Sequence, residues 1–164
     1  MKENKVQSGE MTRRSFLSSA ATAAAAFTIL PSHVIAGLGH TPPGSRLNIA
    51  GIGVGGMGYR NLKNMESENI VALCDVDWDY AGKSAFKAWG RAKQYKDYRV
   101  MFDQQKDIDA VVIATPDHSH ALPAVMAMRL GYHVYVQKPL SHSIYESRIL
   151  TETARTFRVA TQMG

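Results

Sequence analysis

The order of apolar and polar stretches constrains this chain more than any other feature. From Arg46 onward, short apolar runs alternate with helical patterns: "RLNIAGIG", "NIVALCDVD", "DAVVIAT", "YHVYV" and "VATQMG" read as strands. Each run is nearly continuous rather than alternating, which marks strands buried on both faces. Between them the sequence predicts helices over Met57 to Met65, over Asp79 to Trp89, and a short one over Arg99 to Gln105. A fourth carries Leu122, Val125, Met126 and Leu130 on one apolar face and is closed by Gly131. Pro123 has to lie in its first turn, where a missing N–H does least harm. Ser143 and Glu146 make a capping box for a fifth helix running to about Phe157. Gly90 to Asp97 reads as polar loop. Strands alternating with helices predict βαβ units, and so an α/β fold with a doubly wound, mainly parallel sheet.

The turn after the first strand reads "GIGVGGMG". Two registers satisfy G-x-G-x-x-G: Gly51/Gly53/Gly56 and Gly53/Gly55/Gly58. The second is preferred, because the strand Leu47 to Ile52 then ends where the turn begins. In that register Gly53 makes the tight turn of a Rossmann-like fold, Gly55 admits a pyrophosphate to main-chain N–H groups, and Gly58 lets the helix pack close to the strand. Gly56 and Met57 complete this cofactor-binding loop at a helix N-terminus, where the macrodipole favours an anion. About 20 residues later, Asp75 ends the second strand, placed to accept hydrogen bonds from an adenosine ribose. Its charge repels a 2′-phosphate, which favours NAD over NADP. Asp77 reads as surface, and Trp78 is either core or a wall beside the adenine.

The chain has 164 residues with a formal net charge of +5. Part of that excess is local: residues 1–36 hold four basic and two acidic side chains, leaving 15 against 12 in residues 37–164. No basic run with interleaved aromatics occurs, so a nucleic-acid partner is not expected. Cys74 is the only cysteine, which excludes an intramolecular disulfide and a four-cysteine zinc site. His118 and His120 stand two apart with no matching acid or cysteine cluster, so no metal site is expected. His142 reads as a surface residue, and the absence of a G-x-S-x-G elbow leaves that type of serine hydrolase unsupported.

Residues 1–36 read as an address rather than as fold. Lys2, Lys5, Arg13 and Arg14 form a positive region, Phe16 to Leu30 an Ala-rich apolar stretch too short to span a bilayer comfortably, and Val34-Ile35-Ala36 a small-residue cleavage pattern. Thr12-Arg13-Arg14-Ser15-Phe16-Leu17 resembles the twin-arginine export signal. That resemblance implies the twin-arginine machinery as a partner, a periplasmic destination, and export of an already folded chain with its cofactor loaded. Residues 37–45 are Gly/Pro-rich linker, and residues 46–164 form the dinucleotide-binding domain.

Three ordered motifs, the glycine loop, "TPDHSH" from Thr115 to His120, and Lys138-Pro139 after the next strand, resemble those of the Gfo/Idh/MocA oxidoreductases from Arg46 to Gly164. The resemblance implies that Thr115, Pro116 and His120 lie against the nicotinamide end of the dinucleotide. It also implies that Lys138 sits near the nicotinamide ribose and the reacting hydroxyl, as the catalytic residue. Gln137 stands where the family usually has Glu. A carboxylate there would favour the charged lysine, whereas an amide can orient it without that charge.

Family enzymes carry a second α/β domain whose open sheet supplies most substrate contacts and often builds the oligomer. The chain ends in or just after a strand with no closing helix, so it is expected to be a piece of a longer protein. Three functions follow from the resemblance: an exported NAD-dependent oxidoreductase of a sugar, glycoside or cyclitol; a glycoside-cleaving enzyme that oxidises its sugar transiently; or, for these residues alone, a silent nucleotide-binding module.

Overall fold

The computed structural model describes residues 45–164. The segment expected to be an export signal and nearly all of the expected linker lie outside the described residues. The elements run β1 (Asn48–Ile52), α1 (Gly56–Lys63), β2 (Asn69–Cys74), α2 (Lys83–Ala88), β3 (Lys93–Tyr95), α3 (Tyr98–Gln104), β4 (Ala110–Ile113), a 3-10 turn (Asp117–Ser119), α4 (Ala121–Arg129), β5 (His133–Val136), α5 (Ile144–Phe157) and β6 (Thr161–Met163). All strand pairs are parallel, and the six strands lie in the order β3-β2-β1-β4-β5-β6. This is the doubly wound Rossmann arrangement, whose strand order reverses between β1 and β4.

Alternate strand residues feed two apolar layers, as the period of a strand requires. Ile49, Leu73 and Val112 point toward α1 and α2, where Leu62 and Ala85 are buried with them. Ala50, Ala72, Val111, Ile113, Val134 and Val136 pack against α3, α4 and α5 through Met101, Phe102, Ala124, Ala127 and Leu150. Both faces of the central strands are covered, which is why their sequences are apolar throughout.

Three elements differ from the sequence reading. The helix expected from Asp79 begins only at Lys83, because Asp79 to Gly82 are taken up in a turn in which the Gly82 N–H donates to the Asp77 carbonyl at 2.8 Å. Within the expected loop Gly90 to Asp97 lies the edge strand β3, paired with β2. Only Tyr95 of its three residues is buried, so it carries no apolar run. On α4 the apolar face is not the one expected. Leu122 is 63% and Leu130 50% exposed, while Ala121, Pro123, Ala124, Ala127 and Met128 face inward. Small alanines let the helix backbone approach the sheet closely, and the bulkier residues are left at its flanks. The capping box holds: the Glu146 N–H donates to Ser143 Oγ and the Glu146 carboxylate accepts from the Ser143 N–H.

Candidate functional site

The carboxyl ends of parallel strands present loops, and where the strand order reverses those loops part into a crevice. Here that crevice is a cleft of about 620 Å³ walled by the turns after β1, β2, β3 and β4. Its size falls in the usual range for a small-molecule site.

Gly53 sets the geometry of its floor. Its φ of +73° belongs to the left-handed region, and a Cβ there would lie 2.7 Å from the Thr115 N and 2.8 Å from the Ala114 carbonyl. No side chain fits between the β1 turn and the end of β4. Gly58 is equally constrained, since its Cβ would fall on the Gly53 carbonyl oxygen. These contacts select the register Gly53/Gly55/Gly58; Gly51 sits inside β1 against Leu62. Gly55 is the N-cap of α1 and supplies no side-chain bond, and the first turn carries no acid. The amides of Gly56 and Met57 therefore lie in a first turn that helix geometry leaves without internal partners. That is a position suited to an anion.

Asp75 ties this turn to β2. Its Oδ2 accepts from the Val54 N–H at 2.9 Å and its Oδ1 from the Asp77 N–H at 3.0 Å. A carboxylate offers about four lone-pair sites, so the half-buried group keeps acceptor capacity toward the cleft it lines. Cys74, just before it, is 3% exposed, and its thiol is pushed up to about 12, by burial first and then by the charges of Asp75 and Asp97.

Thr115 and Pro116 line the opposite wall. The Thr115 hydroxyl is buried and has no hydrogen-bond partner among the described residues. An orphaned buried hydroxyl is costly unless something arrives to pair with it. His120 does not face the cleft. Its ring is 1% exposed, with Nε2 2.6 Å from the Thr115 carbonyl and Nδ1 2.8 Å from the Pro139 carbonyl. The expectation that His120 touches a cofactor is corrected on that ground. The ring is a clasp between the Thr115-Pro116 loop and the Lys138-Pro139 loop, and acts on the site only by holding them together.

Lys138 follows β5 at the same sheet edge, is exposed, and makes no side-chain hydrogen bond or ion pair among the described residues. The peptide joining it to Pro139 is cis. Gln137 is half-buried and its Oε1 accepts from Asn61 Nδ2 of α1 at 3.1 Å. Thus neither Gln137 nor Lys138 is part of the cleft wall; Gln137 links the loop after β5 to the helix that follows the glycine turn. His118, exposed on the cleft wall, and His120, buried behind it, do not converge. Residues not anticipated as site residues also line the cleft, among them Lys96 and Tyr98 after β3, Val76 after β2, and Leu122. The sequence does not point to Lys96 and Tyr98, because the three residues of β3 carry no apolar run. Leu122 reads as core in the sequence but is 63% exposed here.

A cradle that excludes side chains, an uncapped helix start, an acid on the neighbouring strand and an unpaired hydroxyl across the gap all suit a dinucleotide. Comparison with known proteins agrees. Residues 47–164 match the Gfo/Idh/MocA family, described as an oxidoreductase family with an NAD-binding Rossmann fold. The chain is 31% identical over 124 residues to glycosyl hydrolase family 109 protein 2 of Akkermansia muciniphila, covering 69% of this chain and 26% of that protein. It therefore spans about a quarter of that relative's length. Among solved structures it resembles myo-inositol 2-dehydrogenase from Lactobacillus plantarum, with a TM-score of 0.66 and 27% identity over 73% of this chain and 36% of that one. It resembles equally GenD2 from gentamicin A biosynthesis in complex with NAD, with a TM-score of 0.66 and 25% identity over 73% of this chain and 34% of that one. With the family matched across all six strands and the glycine turn, this chain belongs to the Gfo/Idh/MocA oxidoreductases and carries their NAD-binding Rossmann domain.

Proposed function

We propose that residues 46–164 are the nucleotide-binding part of an exported enzyme that moves hydride between NAD and a hydroxyl-bearing carbon of a sugar, glycoside or cyclitol. The observation carrying this reading is one cleft at the strand-order reversal, bounded by the Gly53 turn, Asp75 and Thr115. NAD, when bound, supplies the hydride acceptor or donor. The chain's own residues bind and orient. Gly53, Gly55, Gly56, Met57 and Gly58 offer main chain to a diphosphate. Asp75 accepts from ribose hydroxyls, and Thr115 with Pro116 forms the wall at the other end. Lys138, exposed at the carboxyl end of β5, donates to a substrate hydroxyl and handles its proton. His120 and Gln137 position the loop that bears it. A twin-arginine-like segment at Arg13-Arg14 supports export to the periplasm.

A second reading shares the cleft and differs in outcome. In a glycoside-cleaving enzyme the sugar hydroxyl would be oxidised to a ketone, elimination would expel the aglycone with its proton, water would add to the resulting enone, and return of the hydride to the ketone would leave the nucleotide unchanged. The likeness to a protein named as a glycosyl hydrolase supports this alternative. The deciding experiment gives the full-length gene product polyols, free sugars and aryl glycosides in turn. Net NADH establishes the dehydrogenase, and released aglycone without net NADH establishes the glycosidase. Neither product, with NAD demonstrably bound, overturns both. The 164-residue chain alone is expected to bind NAD without turnover.

A further inference from the structure

We propose that Lys96 determines cofactor selectivity, allowing this cleft to take a 2′-phosphorylated dinucleotide beside NAD; the inference rests on the dinucleotide reading above. Lys96 directly follows β3 and lines the cleft. It is the only lysine or arginine to do so among the described residues.

The sheet order locates it. β3 lies outside β2, and β2 separates it from the glycine turn on β1. The Asp75 N–H donates to the Tyr95 carbonyl at 3.1 Å, which sets Lys96 beside the acid expected to face the ribose. A diphosphate at the start of α1 lies on the far side of Asp75. The anion nearest Lys96 is therefore one carried by the adenosine ribose.

The ammonium is available for such an anion. It forms no ion pair among the described residues. Of the neighbouring acids, Asp97 is taken by Arg99, whose guanidinium donates to both carboxylate oxygens at 3.2 Å or less. Asp75 is occupied by two main-chain N–H groups, and Asp77 Oδ1 accepts from the Tyr80 N–H at 3.0 Å. Instead of a carboxylate, Lys96 has the Trp78 ring, with Nζ 5.1 Å from its centroid. A cation resting on an indole face is held weakly at an exposed site and leaves it readily for a phosphate. Trp78 is thereby the rest for the lysine, its indole N–H turned to the Tyr95 carbonyl at 3.4 Å. Asp75 alone disfavours a 2′-phosphate; Lys96 offsets that repulsion.

The test titrates the whole 164-residue chain with NAD and with NADP by calorimetry, for the natural chain and for Lys96→Met, which retains an apolar stem against Trp78. The natural chain is expected to bind NADP within about tenfold of NAD. Lys96→Met is expected to weaken NADP about five- to tenfold, a discounted charge-assisted contact at an exposed position, and NAD less than twofold. Retained NAD binding doubles as the check that the variant folds. Equal losses for both nucleotides, or no loss for NADP, overturn the role of Lys96 and leave the dinucleotide site standing. Failure of the natural chain to bind either nucleotide overturns both.

Discussion

At the residue scale, Thr115 separates a stability role from a binding role. Its hydroxyl is buried and without a partner among the described residues, which costs free energy. Thr115→Val keeps the shape and removes the orphan, so it is expected to stabilise the fold by about 1 kcal/mol while weakening NAD about tenfold. Denaturation melts and a nucleotide titration on the same sample check both halves; a variant that is more stable with unchanged affinity means the hydroxyl never meets the cofactor. Cys74 gives a pH signature. Its thiol titrates near 12 in the fold against 9.0 for the free group. The folded state therefore holds the proton more tightly, so the contribution is full below pH 9 and is lost as the pH rises through the folded value. Thiol reagents at neutral pH should react with the native chain far more slowly than with the unfolded one, and stability should fall through the alkaline range. Asp75 was legible as a candidate from its distance to the glycines, and the structure joins it to the glycine turn through the Val54 N–H. His120 was legible as important, but its part in the site was not: only the fold shows both ring nitrogens facing carbonyls.

Elements were legible in proportion to their length and chemistry. The Ser143–Glu146 box places the start of α5 from four residues, because capping is a local exchange of hydrogen bonds. Ser143→Ala is expected to cost about 1 kcal/mol, read as a lowered Tm with little change in NAD affinity, since α5 lies outside the cleft wall. Gly58→Ala should be harsher. Its methyl falls on the Gly53 carbonyl, so α1 has to move away from β1, at about 2–4 kcal/mol and with loss of NAD binding, because the phosphate loop moves with it. The inward face of α4 escaped the periodicity. Large apolar residues dominate a hydropathy pattern, yet alanines are what a helix needs where its backbone approaches a sheet and a neighbouring helix, leaving Leu122 free to line the cleft. The edge strand β3 escaped for the opposite reason. A three-residue strand with one buried side chain has too few positions to show any period.

At the scale of the molecule, the fold and its cofactor make one joint prediction. A ligand that binds only the folded state stabilises it by mass action. NAD at a hundred times its Kd should add about 2.7 kcal/mol, on the order of 10 °C in Tm, and Gly58→Ala should not show this shift. The proposed export makes a separate prediction: replacing Arg13 and Arg14 by lysine should leave the product in the cytoplasm, as cell fractionation would show, and unchanged periplasmic delivery would overturn the twin-arginine reading. By itself the sequence determined the α/β class, the strands that build the centre of the sheet, the glycine register and the acid that faces it. Those are local matters: buried strands need apolar runs, a left-handed turn needs glycine, and both are written within a few neighbouring residues. Tertiary structure alone decided that β3 closes one edge, that the Lys138 loop is pinned through His120 to the Thr115 loop, and that Lys96 stands beside Asp75. Each depends on which residues distant in the chain meet at the carboxyl edge of the sheet, and no periodicity along a single strand or helix carries that information.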